Sequence, residues 1–222
     1  MSRRLRIALV HATPVAMAPI HTAFAADWPE VGLTNLLDDA LSIDRIGGGE
    51  LTPELAERII DLAHHARRSG ADGILFTCSA FGSAIDEAAR QLPIPVLKPN
   101  EAMFEAALAY GNRIGMLATF PPAIGSMEEE FALDAARFGR PAMLTTVLAA
   151  GAIEALRAGD DATHNRLVAA AAADMSGIDV LMLAQFSTAK AQAETAACVP
   201  YPVLASPRSA VAKLRGLLEN VA

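Results

Sequence analysis

Arg6-Ile7-Ala8-Leu9-Val10 and Arg113-Ile114-Gly115-Met116-Leu117 are one short phrase written twice, 107 residues apart (113 − 6 = 107). Outward from these two blocks the offset holds without a gap in every block that matches. Pro14 lies over Pro121, and Asp72-Gly73-Ile74-Leu75 over Asp179-Val180-Leu181-Met182. Ala84, Glu87 and Ala89 lie over Ala191, Glu194 and Ala196. Pro93-Ile94-Pro95-Val96-Leu97 lies over Pro200-Tyr201-Pro202-Val203-Leu204. Chance gives one such block, but hardly several in a single register. The period is far longer than the roughly 20–50 residues of repeat arrays, so it reads as a duplicated domain half.

Each copy alternates short apolar runs with helical stretches. Residues 7–10, 33–37, 74–76, 96–97, 114–117, 180–183 and 203–204 read as strands, most of them continuous apolar runs of the kind that helices cover on both faces. Thr52-Pro53-Glu54 supplies an N-cap, a proline for the first helical position and an acid for the first turn. It predicts a helix to about residue 68, stopped at Gly70. Further helices are expected over 82–91, 101–110, 121–138, 161–175, 188–197 and 208–220. Strands alternating with helices imply parallel βαβ units. The expected fold is therefore α/β, with two pseudo-symmetric, doubly wound parallel-sheet lobes and a cleft between them. Residues 1–98 plus 206–222 are assigned to the first lobe and 99–205 to the second. Ligands in such sheets bind beyond the carboxyl ends of the strands, so the strand tips of both lobes should surround one site.

The chain has 222 residues, is 53% hydrophobic and carries a net charge of −7. This argues against a nucleic-acid or anionic-membrane partner, and no run of about 18 apolar residues is present to span a membrane. The two cysteines, Cys78 and Cys198, form no disulfide framework, which fits a reducing cytoplasm. No Cys/His cluster has zinc-ligand spacing, so no metal is expected. Residues 1–26 imitate a secretory signal, with three arginines, an apolar run and Ala23-Phe24-Ala25. His11, Pro14, Pro19 and His21 interrupt the run, however, and the repeat gives residues 7–10 a strand role. Gly47-Gly48-Gly49 lacks the context of a phosphate-binding loop and reads as a flexible one. Helices rich in alanine suggest a homodimer.

The strand tips hold the candidate chemistry. After the first strand come His11-Ala12-Thr13-Pro14, matched by Ala118-Thr119-Phe120-Pro121. After the strand near 75 come Thr77-Cys78-Ser79, matched by Ala184-Gln185-Phe186. The repeat thus sets Cys78 opposite Gln185. A thiol at a strand end before a helix should have its pKa drawn down toward about 7 by helix N-terminal amides. The flanking Thr77 and Ser79 speak against a purely apolar core position. Cys198, near a helix end like its counterpart Gln91, reads as structural. Thr119 and Ser187 suit a carboxylate, or simple helix capping. His11 suits a proton carrier or a polar strand end. Lys98 follows a strand, has only Ala205 as its counterpart, and could meet a substrate carboxylate or be an ordinary surface lysine. Asp38-Asp39 could meet a substrate amine, but reads first as a solvated turn.

These halves, the Thr77-Cys78-Ser79 tip, the Thr119 tip and the Pro95-Val96-Leu97 strand resemble the aspartate/glutamate/hydantoin racemase superfamily, which includes maleate isomerase and arylmalonate decarboxylase. The resemblance covers essentially the whole chain. It implies a cofactor-independent (PLP-free) enzyme acting on a small carboxylate. Thiols on opposite lobes would move a proton beside the carboxylate, and residues such as Thr13, Thr77, Ser79, Thr119, Phe120 and Ser187 would surround the substrate. The sequence departs from that pattern where the second thiol is expected, because Gln185 stands there. An amide hydrogen-bonds but does not shuttle a proton near neutral pH, which puts two-base racemisation in doubt.

Three readings follow. The first is a one-thiol enzyme of the racemase, isomerase or decarboxylase type, with Cys78 as the reacting group and Gln185 holding developing charge. The second is a hydrolase on the same scaffold, arylsulfatase-like or esterase-like. The third is a non-catalytic carboxylate-binding protein.

Overall fold

The computed structural model describes residues 3–47 and 51–219. The first half runs β1 (Arg6–His11), α1 (Met17–Asp27), β2 (Gly32–Leu37), α2 (Ala40–Gly47), α3 (Pro53–Arg68), β3 (Gly73–Phe76), α4 (Gly82–Gln91) and β4 (Val96–Leu97). α5 (Glu101–Tyr110) leads into β5 (Arg113–Ala118), α6 (Ile124–Arg137), β6 (Met143–Leu148), α7 (Ala152–Arg157) and α8 (Asp161–Ala173). β7 (Val180–Leu183), α9 (Gln192–Cys198), β8 (Val203–Ala205) and α10 (Ser206–Glu219) complete the chain. Two four-stranded parallel sheets result, ordered β2-β1-β3-β4 and β6-β5-β7-β8. This is the α/β, two-lobed, pseudo-symmetric architecture expected from the repeat.

The repeated blocks have identifiable physical jobs. Asp72 accepts the backbone N–H of Arg6 at 2.8 Å, and its counterpart Asp179 accepts that of Arg113 at 2.9 Å. Each acid thereby ties the start of β3 or β7 to the first residue of the neighbouring central strand. Pro95 and Pro202 sit just before the edge strands β4 and β8, where a missing N–H costs no ladder bond. Their carbonyls accept from Ile74 and Leu181, both at 2.9 Å.

Side chains alternate along the strands with period two. Ile7 and Leu9 of β1 and Leu75 of β3 pack under α1 and α10 with Phe24, Trp28 and Leu214. Leu117, Leu181 and Leu183 pack under α8 with Val168 and Ala172. The opposite sides of both sheets meet in one shared core. Ala8, Val10, Ile74 and Phe76 from one sheet join Ile114, Met116, Val180 and Met182 from the other, through residues of α3, α4, α5 and α6. α3 begins as its sequence dictates, with Thr52 Oγ1 accepting the Leu55 N–H and Pro53 at its first position. Beyond it Gly70 adopts a positive φ of 88°, the left-handed geometry that closes a helix cheaply only with glycine.

Four elements went beyond the sequence reading: α1, α2, α7 and β6. β6 starts 111 residues after β2 (143 − 32 = 111), four more than the repeat offset, so a fixed-register comparison passes over it. It is also a half-exposed edge strand carrying two threonines rather than a continuous apolar run. Of the three glycines read as a flexible loop, Gly47 ends α2, while Gly48 and Gly49 lie outside the described residues.

One buried acid gives the fold a pH dependence. Glu130 of α6 is 7% exposed, and neither of its carboxyl oxygens has a hydrogen-bond partner among the described residues. It presses on Gly82, where an added Cβ would fall 1.5 Å from Glu130 Oε1. Burial pushes its pKa up to about 8, the Lys98 ammonium opposes the rise, and Asp86, Asp134 and Glu101 add to it. Between an unfolded pKa near ~4.3 and the folded value, the unfolded chain ionises while the folded chain keeps the proton. This group therefore weakens folding as pH rises, by at most ~1.4 kcal/mol per pH unit, and not further above the folded value. Glu130→Gln is expected to gain stability over wild type progressively from pH 5 to 8, read as a widening difference in melting temperature. A difference that stays flat across that range would exclude Glu130 as the source.

Candidate active site

The four inner strands β1, β3, β5 and β7 end in polar tips, each continued by a short 3₁₀ turn (Pro14–Ala16, Ser79–Phe81, Pro121–Ala123 and Phe186–Ala191). In both sheets the order reverses between the two inner strands, and the crevice outside the carboxyl ends at such a switch point is where these folds bind ligands. A cavity of about 50 Å³ lies there, between the sheets. Thr13, Ser42, Thr77, Cys78 and Ser79 line it from the first half, together with Asn100 at the start of α5. Phe120, Ile153, Arg157, Gln185, Phe186 and Ser187 line it from the second. Cys78 and Gln185, paired by the repeat, thus face the same space.

The Cys78 thiol differs from the sequence expectation. Its pKa is raised to about 11, because burial penalises the thiolate more than the Ala80 backbone N–H and the Arg45 charge favour it. The expected helix effect is weak for a geometric reason. A three-residue 3₁₀ turn follows Cys78, and α4 begins only at Gly82, so no aligned stack of helix amides points at the sulfur.

Behind this tip runs a buried polar chain. His11 is fully buried and does not line the cavity. Its Nδ1 lies 2.8 Å from Thr77 Oγ1, and its Nε2 lies 3.0 Å from Asn35 Oδ1, which also meets His21 Nε2 at 2.8 Å. The contacts suit a neutral ring that donates from Nε2 to Asn35 and accepts the Thr77 hydroxyl at Nδ1. Burial lowers the His11 pKa, opposed by the Asn35 hydrogen bond and assisted by the nearby His21. His11 therefore supports Thr77 from behind the cavity wall.

The opposite tip is built differently. Gln185 Oε1 accepts both the Thr119 backbone N–H at 2.9 Å and the Thr119 hydroxyl at 3.2 Å. Both Thr119 donors, read from the sequence as a carboxylate cradle, are thus engaged by Gln185, and Thr119 does not line the cavity. Among the described residues Gln185 Nε2 meets only Met127 Sδ, at 3.9 Å, which leaves a donor with a weak partner.

Lys98 lies outside the cavity. It pairs with Asp86 at 3.1 Å and sits in the field of Glu130 and Asp134. Asp38 is tied to Arg58 at 2.7 Å, and neither it nor Asp39 lines the cavity. Cys198 is exposed at the end of α9, away from the cleft.

Several lining residues escaped the sequence reading, among them Ser42, Asn100 and Arg157. Asn100 is fully buried. Its Oδ1 accepts the Ser206 hydroxyl at 2.7 Å, and its Nδ2 has no partner among the described residues. Its position just past the 96–97 strand is the signal that would have pointed to it. Among the described residues Arg157 is the only charged side chain on the cavity, and its guanidinium lies 5.7 Å from the centroid of the Phe120 ring. It ends α7, an element the sequence reading lacked.

With this geometry in place, the family follows. The model of the Asp/Glu/Hydantoin racemase family matches residues 12–214, and the chain belongs to that family. No curated protein matches the chain significantly. Among solved structures, glutamate racemase RacE1 from Bacillus anthracis is 14% identical with a TM-score of 0.79, covering 100% of this chain and 84% of that one. Allantoin racemase from Klebsiella pneumoniae is 16% identical with a TM-score of 0.72, over 98% of this chain and 89% of that one. The Gly74Cys mutant of arylmalonate decarboxylase is 18% identical with a TM-score of 0.63, over 98% and 94%. At these identities the likeness is one of fold.

The raised Cys78 pKa has a direct chemical readout. Only the thiolate reacts quickly with alkylating agents, so Cys78 is expected to react with iodoacetamide far more slowly at pH 7.5 than the exposed Cys198. Its rate should climb through pH 9–11, followed by mass spectrometry of peptides containing each cysteine. Rapid modification of Cys78 at pH 7 would show instead a thiolate stabilised in the cleft.

Proposed function

We propose that this protein is a one-thiol, cofactor-independent enzyme that delivers a proton to one face of a carbon next to a carboxylate. The observation that carries this reading is that Cys78 and Gln185 line one cavity, and only one of them can exchange a proton. Racemisation by two bases needs a proton carrier on each face, which Gln185 does not provide. A thiol with a pKa near 11 rests protonated at neutral pH, which suits a proton donor better than a resting base or nucleophile. The lobes that enclose the substrate are taken as residues 1–98 plus 206–222 and 99–205.

Decarboxylation of a substituted malonate fits these constraints. The bond from the central carbon to one carboxylate breaks, carbon dioxide leaves, and the bonding pair remains as an enolate. The Cys78 S–H proton then passes to that carbon, and a proton from solvent restores the thiol. The Ser79 and Ser187 hydroxyls and the Gln185 Nε2 donor supply hydrogen bonds to the enolate oxygens. One such donor is typically worth ~3 kcal/mol in the transition state.

Cys78→Ala and Cys78→Ser are expected to lower turnover of substituted malonates by about 10²–10⁴-fold, the usual scale of a lost general acid. In D₂O the wild-type product should carry deuterium on a single face. Assays would include maleate and acidic amino acids. Full activity in both Cys78 variants, or racemisation of an amino acid as the fastest reaction, would sink this reading.

A further inference from the structure

Arg157 has a setting that the proton-transfer chemistry does not use. It closes α7 at the rim of the cavity, is exposed, and is the one formal charge among the lining residues. Among the described residues no carboxylate lies within ion-pairing distance of it, and no hydrogen bond ties it down. Its recorded contact is the Phe120 ring, 5.7 Å from the guanidinium to the ring centroid, and Phe120 lines the same cavity. Most of the chain's other arginines are engaged: Arg58 with Asp38 and Asp44, Arg113 with Asp179, and Arg208 with Asp27. In a chain of net charge −7, an arginine held on an aromatic face beside the strand tips and without an acidic partner is a ready site for an anion. Stacking holds the planar fork, so less freedom is lost when it pairs with a carboxylate.

The rest of the wall narrows the ligand further. Val15, Phe120, Ile153 and Phe186 are apolar, and the remaining polar lining groups are hydroxyls, one thiol and two amides. We propose that Arg157 is the specificity-determining residue of this cleft. It would select a carboxylate that carries an apolar substituent over the equally shaped uncharged amide, with the substituent lying along the apolar wall. This rests on the proposed carboxylate chemistry and adds the residue that reads the charge.

The test compares phenylacetate with phenylacetamide, which share a shape and differ in charge, alongside methylmalonate and maleate. Binding is measured by thermal shift and calorimetry on wild type, Arg157→Gln and Arg157→Lys. Arg157 is exposed at a helix end, so these variants are expected to fold. Wild type should prefer phenylacetate to phenylacetamide, with a preference that shrinks as salt rises. Arg157→Gln should lose about 10–100-fold in carboxylate affinity, the scale of a charge-assisted hydrogen bond, and bind the amide unchanged. Arg157→Lys should fall between. A wild-type preference that survives in Arg157→Gln, or equal binding of acid and amide by wild type, overturns the assignment. Failure of every carboxylate to bind wild type overturns it together with the carboxylate reading of the site. The two proposals also fail separately. Turnover that persists in Cys78→Ala removes the thiol mechanism and leaves Arg157 standing, whereas unchanged selectivity in Arg157→Gln removes Arg157 and leaves the thiol mechanism standing.

Discussion

Everything in this molecule is positioned by the core that the two sheets share. A parallel sheet must be covered on both faces. Here the inward faces of both sheets, through Val10, Phe76, Met116 and Met182, bury into one continuous cluster with α3 to α6. Interiors packed to crystal-like density do not slide, so the two sets of strand tips are held at a fixed separation. Polar links reinforce this. Ser126 of α6 donates to the Ser79 carbonyl at 3.0 Å, and Ser206 donates to Asn100 at 2.7 Å between the segments that follow β8 and β4. The small cavity between the tips is a consequence of this joint core and not of two independent domains that happen to meet.

The same packing decides the state of the thiol. A helix N-terminus offers an anion about 0.3–1 kcal/mol, whereas removing an ion from water costs several kcal/mol. At Cys78 the first term is further weakened by the 3₁₀ turn that separates it from α4. Burial therefore wins, and the thiol stays protonated. Glu130 shows the same inequality on the other side of Gly82, with no hydrogen bond to offset its burial. In both places loss of contact with water favours the neutral form: the carboxyl oxygens of Glu130 are enclosed, and Cys78 sits in a half-buried cavity wall.

The strands and most of the helices were legible because the chain states its plan twice. A reader who finds Asp72 over Asp179 has found the two acids that fasten the inner strands. The pairing of Cys78 with Gln185 was legible for the same reason, since equivalent strand ends must face each other across a pseudo-twofold axis. What escaped lies where the halves diverge or where burial matters. β6 is displaced by four residues and only partly buried, and Arg157 ends α7, a helix of six residues that is too short for its apolar spacing to announce it. The state of the Cys78 thiol was not legible, because sequence shows that a helix follows, but not how far away it begins or how much water remains.

The divergence between the halves is itself informative about the chemistry. His11 and Thr77 correspond to Ala118 and Ala184 at the same offset, so the buried chain Thr77–His11–Asn35–His21 exists behind one tip only. At the other tip the Gln185 carbonyl oxygen clasps both donors of Thr119, and the Gln185 backbone N–H reaches Thr188 Oγ1 at 3.3 Å. A thiol at position 185 would be a weak acceptor for the Thr119 amide. The glutamine therefore fits its surroundings as a fixed hydrogen-bonding group, while the polar chain behind Thr77 supports the tip that carries the thiol. The cleft thus carries a thiol on one wall and, on the other, an amide anchored by Thr119.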